Sequence, residues 1–117
     1  MTGGISSSLT ALTAYGAKLH VAANNAANAN TKGFKHSRVT PIEGVPRGVR
    51  AVVERIGAPG PQVPAEASRG PAIEELSNVD LGQEMTDVLL AQRAFEINAQ
   101  VLRTQDETLG TLLDIIR

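Results

Sequence analysis

Two apolar stripes, one near each end of the chain, constrain this sequence more than any other feature. Alternating steps of four and three residues from Ile5 meet Leu9, Leu12, Gly16, Leu19, Ala23, Ala26 and Asn30. The same alternation from Leu81 meets Met85, Val88, Gln92, Phe95, Ala99, Leu102, Asp106, Leu109, Leu113 and Ile116, with Gln92 and Asp106 as polar interruptions. Residues at this spacing share one side of an α-helix and favour packing of helix on helix. The first stripe narrows from Ile and Leu to Gly and Ala, and narrow side chains let a second backbone come close. The pattern predicts a helix over residues 4–31, about 42 Å long at 1.5 Å per residue. It predicts a second from about residue 81 toward the C-terminus, about 55 Å long. Asp80 is the expected N-cap of the second helix, with Gln83 placed to complete a capping box. Ser6, Ser7 and Ser8 predict a weak first turn in the first helix.

The segment between the helices has a different composition. Residues 48–56, GVRAVVERI, set Val49, Ala51 and Val53 on one face and read as a β-strand, pairing with residues 37–42 in a small hairpin. Residues 57–72 hold four prolines and three glycines and read as a linker or extended arm. The expected fold is therefore mainly α. Long N- and C-terminal helices form an antiparallel, coiled-coil-like pair, with a small β-hairpin and a Pro/Gly-rich arm between them. Residues 1–35 and 76–117 make a discontinuous helical core, and residues 36–75 a β or irregular connector. With two Phe, one Tyr and no Trp in 117 residues, the core must come from Leu, Ile, Val and Ala.

Charge narrows the function classes. The formal net charge of −1 argues against a dedicated nucleic-acid binder. Residues 1–55 carry seven basic and two acidic groups, and residues 80–117 carry three basic and seven acidic. Opposite charge on the two ends favours their pairing, or head-to-tail contact between copies. No apolar run approaches the roughly 18 residues of a membrane span, so membrane insertion is not expected. With no cysteine there is no thiolate metal site. His20 and His36 have no acidic or thiol partner at ligand spacing, no serine lies in a strand–turn–helix elbow, and Gly3-Gly4 lacks the pattern of a phosphate loop. No catalytic, cofactor-binding or metal residue is expected, and the chain reads as a non-enzyme.

Residues 24–35, NNAANANTKGFK, place Asn24, Asn25, Asn28 and Asn30 at the end of the first helix. Asparagine is a mediocre helix former because its amide competes for backbone hydrogen bonds. Gly33 suits a left-handed C′ position that ends the helix, but that does not account for amides further up. Asn24 and Asn28 share one side of the helix. Amides beside a helix seam fix register by bonding to a partner helix, so this stretch reads as a recognition surface for another helix.

These residues resemble the N-terminal signature of the bacterial flagellar rod and hook proteins, an Asn-Asn-x-Ala-Asn-x-Asn-Thr-x-Gly-Phe/Tyr-Lys motif that here includes Phe34 and Lys35. The stretch from Asn78, Val79, Asp80 and Leu81 through Ala91, Gln92, Arg93, Ala94, Phe95, Glu96, Asn98 and Ala99 is similar to the family's C-terminal signature. Together the two cover about 75 of the 117 residues. About 45 residues separate Lys35 from Asp80, which looks most like a short proximal-rod protein of the flagellar basal-body rod family. The resemblance implies a structural protein of the flagellar basal body, in the rod that crosses the periplasm. Its terminal helices would stack copies into an axial tube, with itself and other rod and hook proteins as partners. It also implies export by the flagellar type III apparatus without a cleaved signal. The residues expected to carry assembly are Asn24, Asn25, Asn28, Asn30, Gly33, Phe34, Asn78, Asp80, Leu81, Gln92, Arg93, Phe95, Asn98, Leu102, Leu109 and Leu113. Gln92 and Arg93 would supply polar contacts near the seam and Phe95 its largest knob. The alternative is a self-contained helical-hairpin binding module, such as a flagellar export adaptor or chaperone-like factor. A peptidoglycan-cleaving enzyme is disfavoured, because no paired carboxylates are evident. A lone first helix with three serines, a glycine and four asparagines is marginal in water, so the terminal segments are expected to order as copies cover one another.

Overall fold

The computed structural model describes residues 2–117. Six elements follow in order: helix α1 (Thr2–Ala27), strands β1 (Ser37–Glu43), β2 (Val49–Arg55), β3 (Gln62–Ala67) and β4 (Gly70–Glu75), and helix α2 (Leu81–Ile116). The shape is a rod, 82 × 24 × 18 Å. The two helices lie side by side and antiparallel. Asn25 meets Glu84 near one end, Gly16 lies under the Phe95 ring, and Gly4 meets Gln105 near the other. Beyond that level α2 runs on, with Leu112, Leu113, Ile115 and Ile116 exposed.

The serine-rich start is helical from Thr2 onward. Ser7 Oγ donates to the Gly3 carbonyl at 2.9 Å and Thr10 Oγ1 to Ser7 O at 2.8 Å, so these hydroxyls bond back to their own helix. Ser8 is buried, as a small residue can be where another element crowds the helix. The other end stops at Ala27, four residues short of the expected 31. Asn28 causes this locally. Its Nδ2 donates to Asn24 O at 2.9 Å and its Oδ1 accepts from Thr31 Oγ1 at 3.1 Å, while Ala29 and Thr31 donate to carbonyls only three residues back. These short bonds tighten and end the turn. Gly33 is left-handed as expected, at φ 69°, but it lies beyond this turn, six residues past Ala27, and so is not the C′ residue of α1.

β1 and β2 form the expected antiparallel hairpin, with Val39 opposite Val53 and Pro41 opposite Ala51. It lies along α1 rather than on α2. Val39 is buried, and Val49 N donates to Thr10 Oγ1 at 3.1 Å. Gly48 sits so close to Thr10 that any side chain there would collide with the hydroxyl, and its φ of 97° also selects glycine.

The Pro/Gly-rich segment is not a bare linker. It contains a second antiparallel hairpin, β3–β4, with Pro64 opposite Ile73 and Glu66 opposite Pro71, closed by Ser68 and Arg69 before Gly70 at φ 113°. Both strands of a two-stranded sheet are edges, so prolines whose missing N–H would face outward are tolerated. Among the described residues neither strand packs on a helix, and the hairpin is held only at its base.

The seam of α2 differs from the expected stripe by a rotation. Val88, Phe95, Leu102 and Leu109 keep their places, but the alternate positions are Glu84, Ala91, Asn98 and Gln105 instead of Met85, Gln92, Ala99 and Asp106. The reason lies across the seam. Among the described residues α1 buries Ala11, Ala14, Ala22, Ser8 and Asn25, a narrow face that allows close packing, and Ala91 of α2 is itself 1% exposed. Gln92 and Arg93 are thereby turned to the surface, where both bond to Glu96 on their own helix. Among the described residues neither side chain hydrogen-bonds across the seam. Among the described residues, Ala11, Ala14, Ala22, Val39 and Ala91 are the whole buried apolar core.

Candidate functional site

The residues of the two terminal motifs converge where α1 ends, α2 begins and both hairpins start. Asn25 is the centre and is 1% exposed. Its amide meets the backbone of Ser37 as a neighbouring strand would. Nδ2 donates to Ser37 O at 2.8 Å, and Oδ1 accepts from Ser37 N at 3.0 Å. The same Nδ2 donates to Glu84 Oε1 at 3.1 Å. One side chain thus ties α1 to β1 and to α2. An asparagine suits this place because it offers donors and acceptors together.

Asn78 does the same on the other side of the junction. Its Oδ1 accepts from His36 N at 2.7 Å and lies 3.0 Å from His36 Nδ1, while Nδ2 donates to Ile56 O at 3.0 Å and Ala58 O at 2.9 Å. Its backbone N–H donates to Phe34 O at 3.2 Å. Gly33 N donates to Glu75 O at 2.9 Å. Two lysines of the first motif complete the base of the second hairpin. Lys32 pairs with Glu74 at 2.9 Å, and Lys35 pairs with Glu75 while donating to Ala58 O at 3.1 Å. Glu75 also accepts from Gly60 N at 2.9 Å. The hydrogen bond from Lys35, with that from Gly60, holds the Glu75 carboxyl below its ordinary range, outweighing a small opposing effect of desolvation. Asp80 caps α2 as expected, its Oδ1 accepting from Gln83 N at 3.3 Å. The capping box stays half-made, because the Gln83 amide turns to Asp87 at 3.2 Å.

The structure therefore brings Asn25, Gly33, Phe34, Asn78 and Asp80 into one junction. Asn28 closes its own helix, and Asn24 and Asn30 are exposed. Of the α2 positions, Leu102 and Leu109 are half-buried, and Asn98, also half-buried, donates to Ala94 O at 2.8 Å. Leu81 and Leu113 are exposed. Sequence reasoning missed Ser37 and Glu84. A signal for Glu84 was available, because it leads the 84, 91, 98, 105 series whose narrow or polar side chains suit an alanine-faced partner. Ser37 meets Asn25 through its backbone, which no residue type reveals. Beside this junction a groove of about 410 Å³ opens between α1, β1 and α2, lined among others by Lys18, Arg38, Glu84 and Asp87. No helix among the described residues is long and apolar enough to cross a membrane.

The architecture defines a class of protein in which the two ends of the chain meet as one helix pair and bracket whatever lies between. Comparison with known proteins places the chain within that class. Residues 5–35 match the family model described as flagella basal body rod protein, and residues 72–115 match that of the flagellar basal body rod FlgEFG protein C-terminal region. The chain belongs to the flagellar rod and hook protein family. It is 46% identical over 41 residues to the flagellar hook protein FlgE of Escherichia coli, covering 35% of this chain and 10% of that protein. It is 40% identical over 57 residues to the flagellar basal-body rod protein FlgG of Borreliella burgdorferi, covering 49% of this chain and 21% of the other. With FlgG of Agrobacterium fabrum it shares 46% identity over 54 residues, 44% and 21% of the two chains. The matches span about a tenth to a fifth of the length of these relatives.

Proposed function

We propose that the chain is a structural subunit of the flagellar basal-body rod that packs through its terminal helices into an axial tube. Its partners are further copies, other rod and hook proteins, and the flagellar export apparatus that delivers it. Residues 1–35 and 76–117 act as the helical core, paired in coiled-coil fashion, and residues 36–75 as the connector carried on it. The short middle segment favours a proximal-rod position. Asn25, Gly33, Phe34, Asn78 and Asp80 shape the subunit. The exposed Asn24, Asn30, Leu81, Gln92, Arg93 and Leu113 are available to neighbours, and the half-buried Asn28, Asn98, Leu102 and Leu109, with Phe95, border both.

One observation carries this reading: the two family signatures fold into a helix pair whose buried apolar side chains, among the described residues, are four alanines. Leu81, Met85, Leu89, Leu90, Ile97, Val101, Leu112, Leu113, Ile115 and Ile116 are left exposed along α2. Covering a Leu or Ile side chain contributes about 1.5–3 kcal/mol. A surface of this kind marks an interaction site. Assembly therefore supplies the burial that the single copy lacks, and the helices stiffen as copies associate.

The test is recovery of the tagged chain from flagellated cells, combined with circular dichroism and sedimentation across a concentration series. Basal-body components should co-purify, and helicity and mass should rise together. Constant helicity and mass with no basal-body protein recovered would refute the reading. A fixed closed dimer would instead favour the self-contained helical-hairpin binding module.

A further inference from the structure

The first hairpin has an open edge that borders a groove. Ile56 N donates to His36 O at 2.9 Å and Gly44 N to Gly48 O at 2.8 Å, just beyond the two ends of the β1–β2 ladder. Bonded pairs alternate in such a ladder, so the even-numbered residues of β1 turn their N–H and C=O toward β2 and the odd-numbered ones turn theirs outward. Asn25 takes the first outward rung, at Ser37. Among the described residues no hydrogen bond reaches the next, at Val39, and the sheet ends there. Val39 and its neighbours on β1 form one wall of the 410 Å³ groove, and α1 and the start of α2 form the others. Glu84 lines it at 5% exposure and accepts from Asn25 alone among the described residues, which leaves its carboxylate room for further donors.

We propose that β4 of a second copy adds to this edge in parallel, a contact between connectors that rests on the rod reading above. The β3–β4 hairpin is a lone pair of strands that touches neither helix nor the first hairpin among the described residues. Such a pair is marginal in water until another strand or a helix covers it. Leu76 N donates to Pro61 O, and by the same alternation Pro71 and Ile73 turn their backbone groups away from β3. With Ala72 beside Val39, Val39 N donates to Pro71 O and Ile73 N donates to Val39 O. The proline then supplies only the acceptor that is needed. The same register turns Ala65, Ala67, Gly70 and Ala72 toward the groove, a face of small residues that fits a narrow space. It sets Arg38 on the opposite face beside Pro71 and Glu66, and it carries Arg69 toward Ser37, where Asn25 holds Glu84. Arg38, Glu66 and Arg69 are exposed and form no ion pair among the described residues, so both charges of the arriving hairpin find an opposite. Edge and hairpin are different surfaces, so each copy gives one hairpin and receives another.

The chain has no cysteine, which makes single-cysteine probes clean. Thr40 and Ile73 are exposed and fall side by side in this register, within the reach of a disulfide between neighbouring strands. Thr40→Cys and Ile73→Cys proteins, mixed and oxidised, should form a mixed disulfide dimer, whereas Thr40→Cys with Ser68→Cys should not. Arg38→Glu introduced into the Thr40→Cys protein should lower the yield about three- to tenfold, and Glu66→Arg introduced into the Ile73→Cys protein should restore it. Circular dichroism of the dilute variants should match wild type. Yields that ignore both charge changes would overturn the register. A double Thr40→Cys, Ile73→Cys protein that closes its disulfide within one dilute monomer would overturn the second copy in favour of a hairpin folding over its own groove. Wild-type assembly without the mixed disulfide would overturn the contact while leaving the rod reading intact. Wild-type protein that binds neither itself nor rod subunits would remove both.

Discussion

Replacement of Asn25 by alanine should cost far more than its size suggests. The change removes three hydrogen bonds at once: Nδ2 to Ser37 O, Ser37 N to Oδ1, and Nδ2 to Glu84 Oε1. Ser37 is half-buried, so water recovers part of the loss, and its two backbone groups together contribute about 1 kcal/mol. The Glu84 side chain is 5% exposed and loses its one donor among the described residues at about 2 kcal/mol. The void left by the amide adds about 1 kcal/mol. The sum is about 4 kcal/mol, against a total stability on the order of 5–15 kcal/mol for domains generally. Urea unfolding followed by circular dichroism, at concentrations where the protein is monomeric, should show a midpoint lower by about 2 M. Asn24→Ala is the control. Its position is exposed and its amide makes no hydrogen bond among the described residues, so the change should stay within about 0.5 kcal/mol. Asn25→Asp keeps the acceptor to Ser37 but faces Glu84 with a second carboxyl, and Glu84→Gln should recover part of that loss as a positive coupling. If Asn25→Ala and Asn24→Ala unfold within about 0.5 kcal/mol of each other, the amide is not the tie between α1, β1 and α2.

Other perturbations probe the junction and the seam. The Glu75 carboxyl is held below its ordinary range in the folded chain, so the unfolded chain binds the proton more readily, and this contribution to stability is lost as pH falls through the folded value. Protection of the amides at the base of β3–β4, taken relative to their intrinsic exchange rates, should fall as pH drops through the lowered Glu75 value, and Glu75→Gln should flatten that dependence. Gly60→Ala would drive its Cβ into the Leu76 carbonyl, with Ser77 backbone atoms 3.0 Å away, and should displace β3, seen as loss of the Leu76 N to Pro61 O protection. Ala91→Leu should destabilise the monomer by about 1–3 kcal/mol by prising the helices apart. Leu90→Ala, on the exposed neighbour, should change monomer stability by less than about 0.5 kcal/mol. A larger cost for Leu90→Ala than for Ala91→Leu would put the seam on the wrong face.

Much of the architecture is legible in the residues themselves. Periodicity places both helices, alternation in GVRAVVERI places the first hairpin, and the chemistry of Asp80 and Gly33 marks a helix start and a chain reversal. These are local matters, decided by how a residue and its near neighbours satisfy the backbone. The second hairpin escapes because proline and glycine density reads as irregular chain, whereas in a lone pair of strands every strand is an edge and proline removes no needed bond.

What the sequence by itself determined is that two long helices bound a β-containing middle and that both end motifs belong to one family. Only the tertiary structure decided which side of α2 turns inward. Apolar residues occur nearly all round that helix, so periodicity admits more than one stripe. The choice falls to the Glu84, Ala91, Asn98 and Gln105 side because the alanines of α1 opposite it permit the closest approach. Asn25 is the same case in miniature. Its partners stand 12 and 59 residues away in the chain, and a side chain's hydrogen bonds follow from what the fold sets beside it.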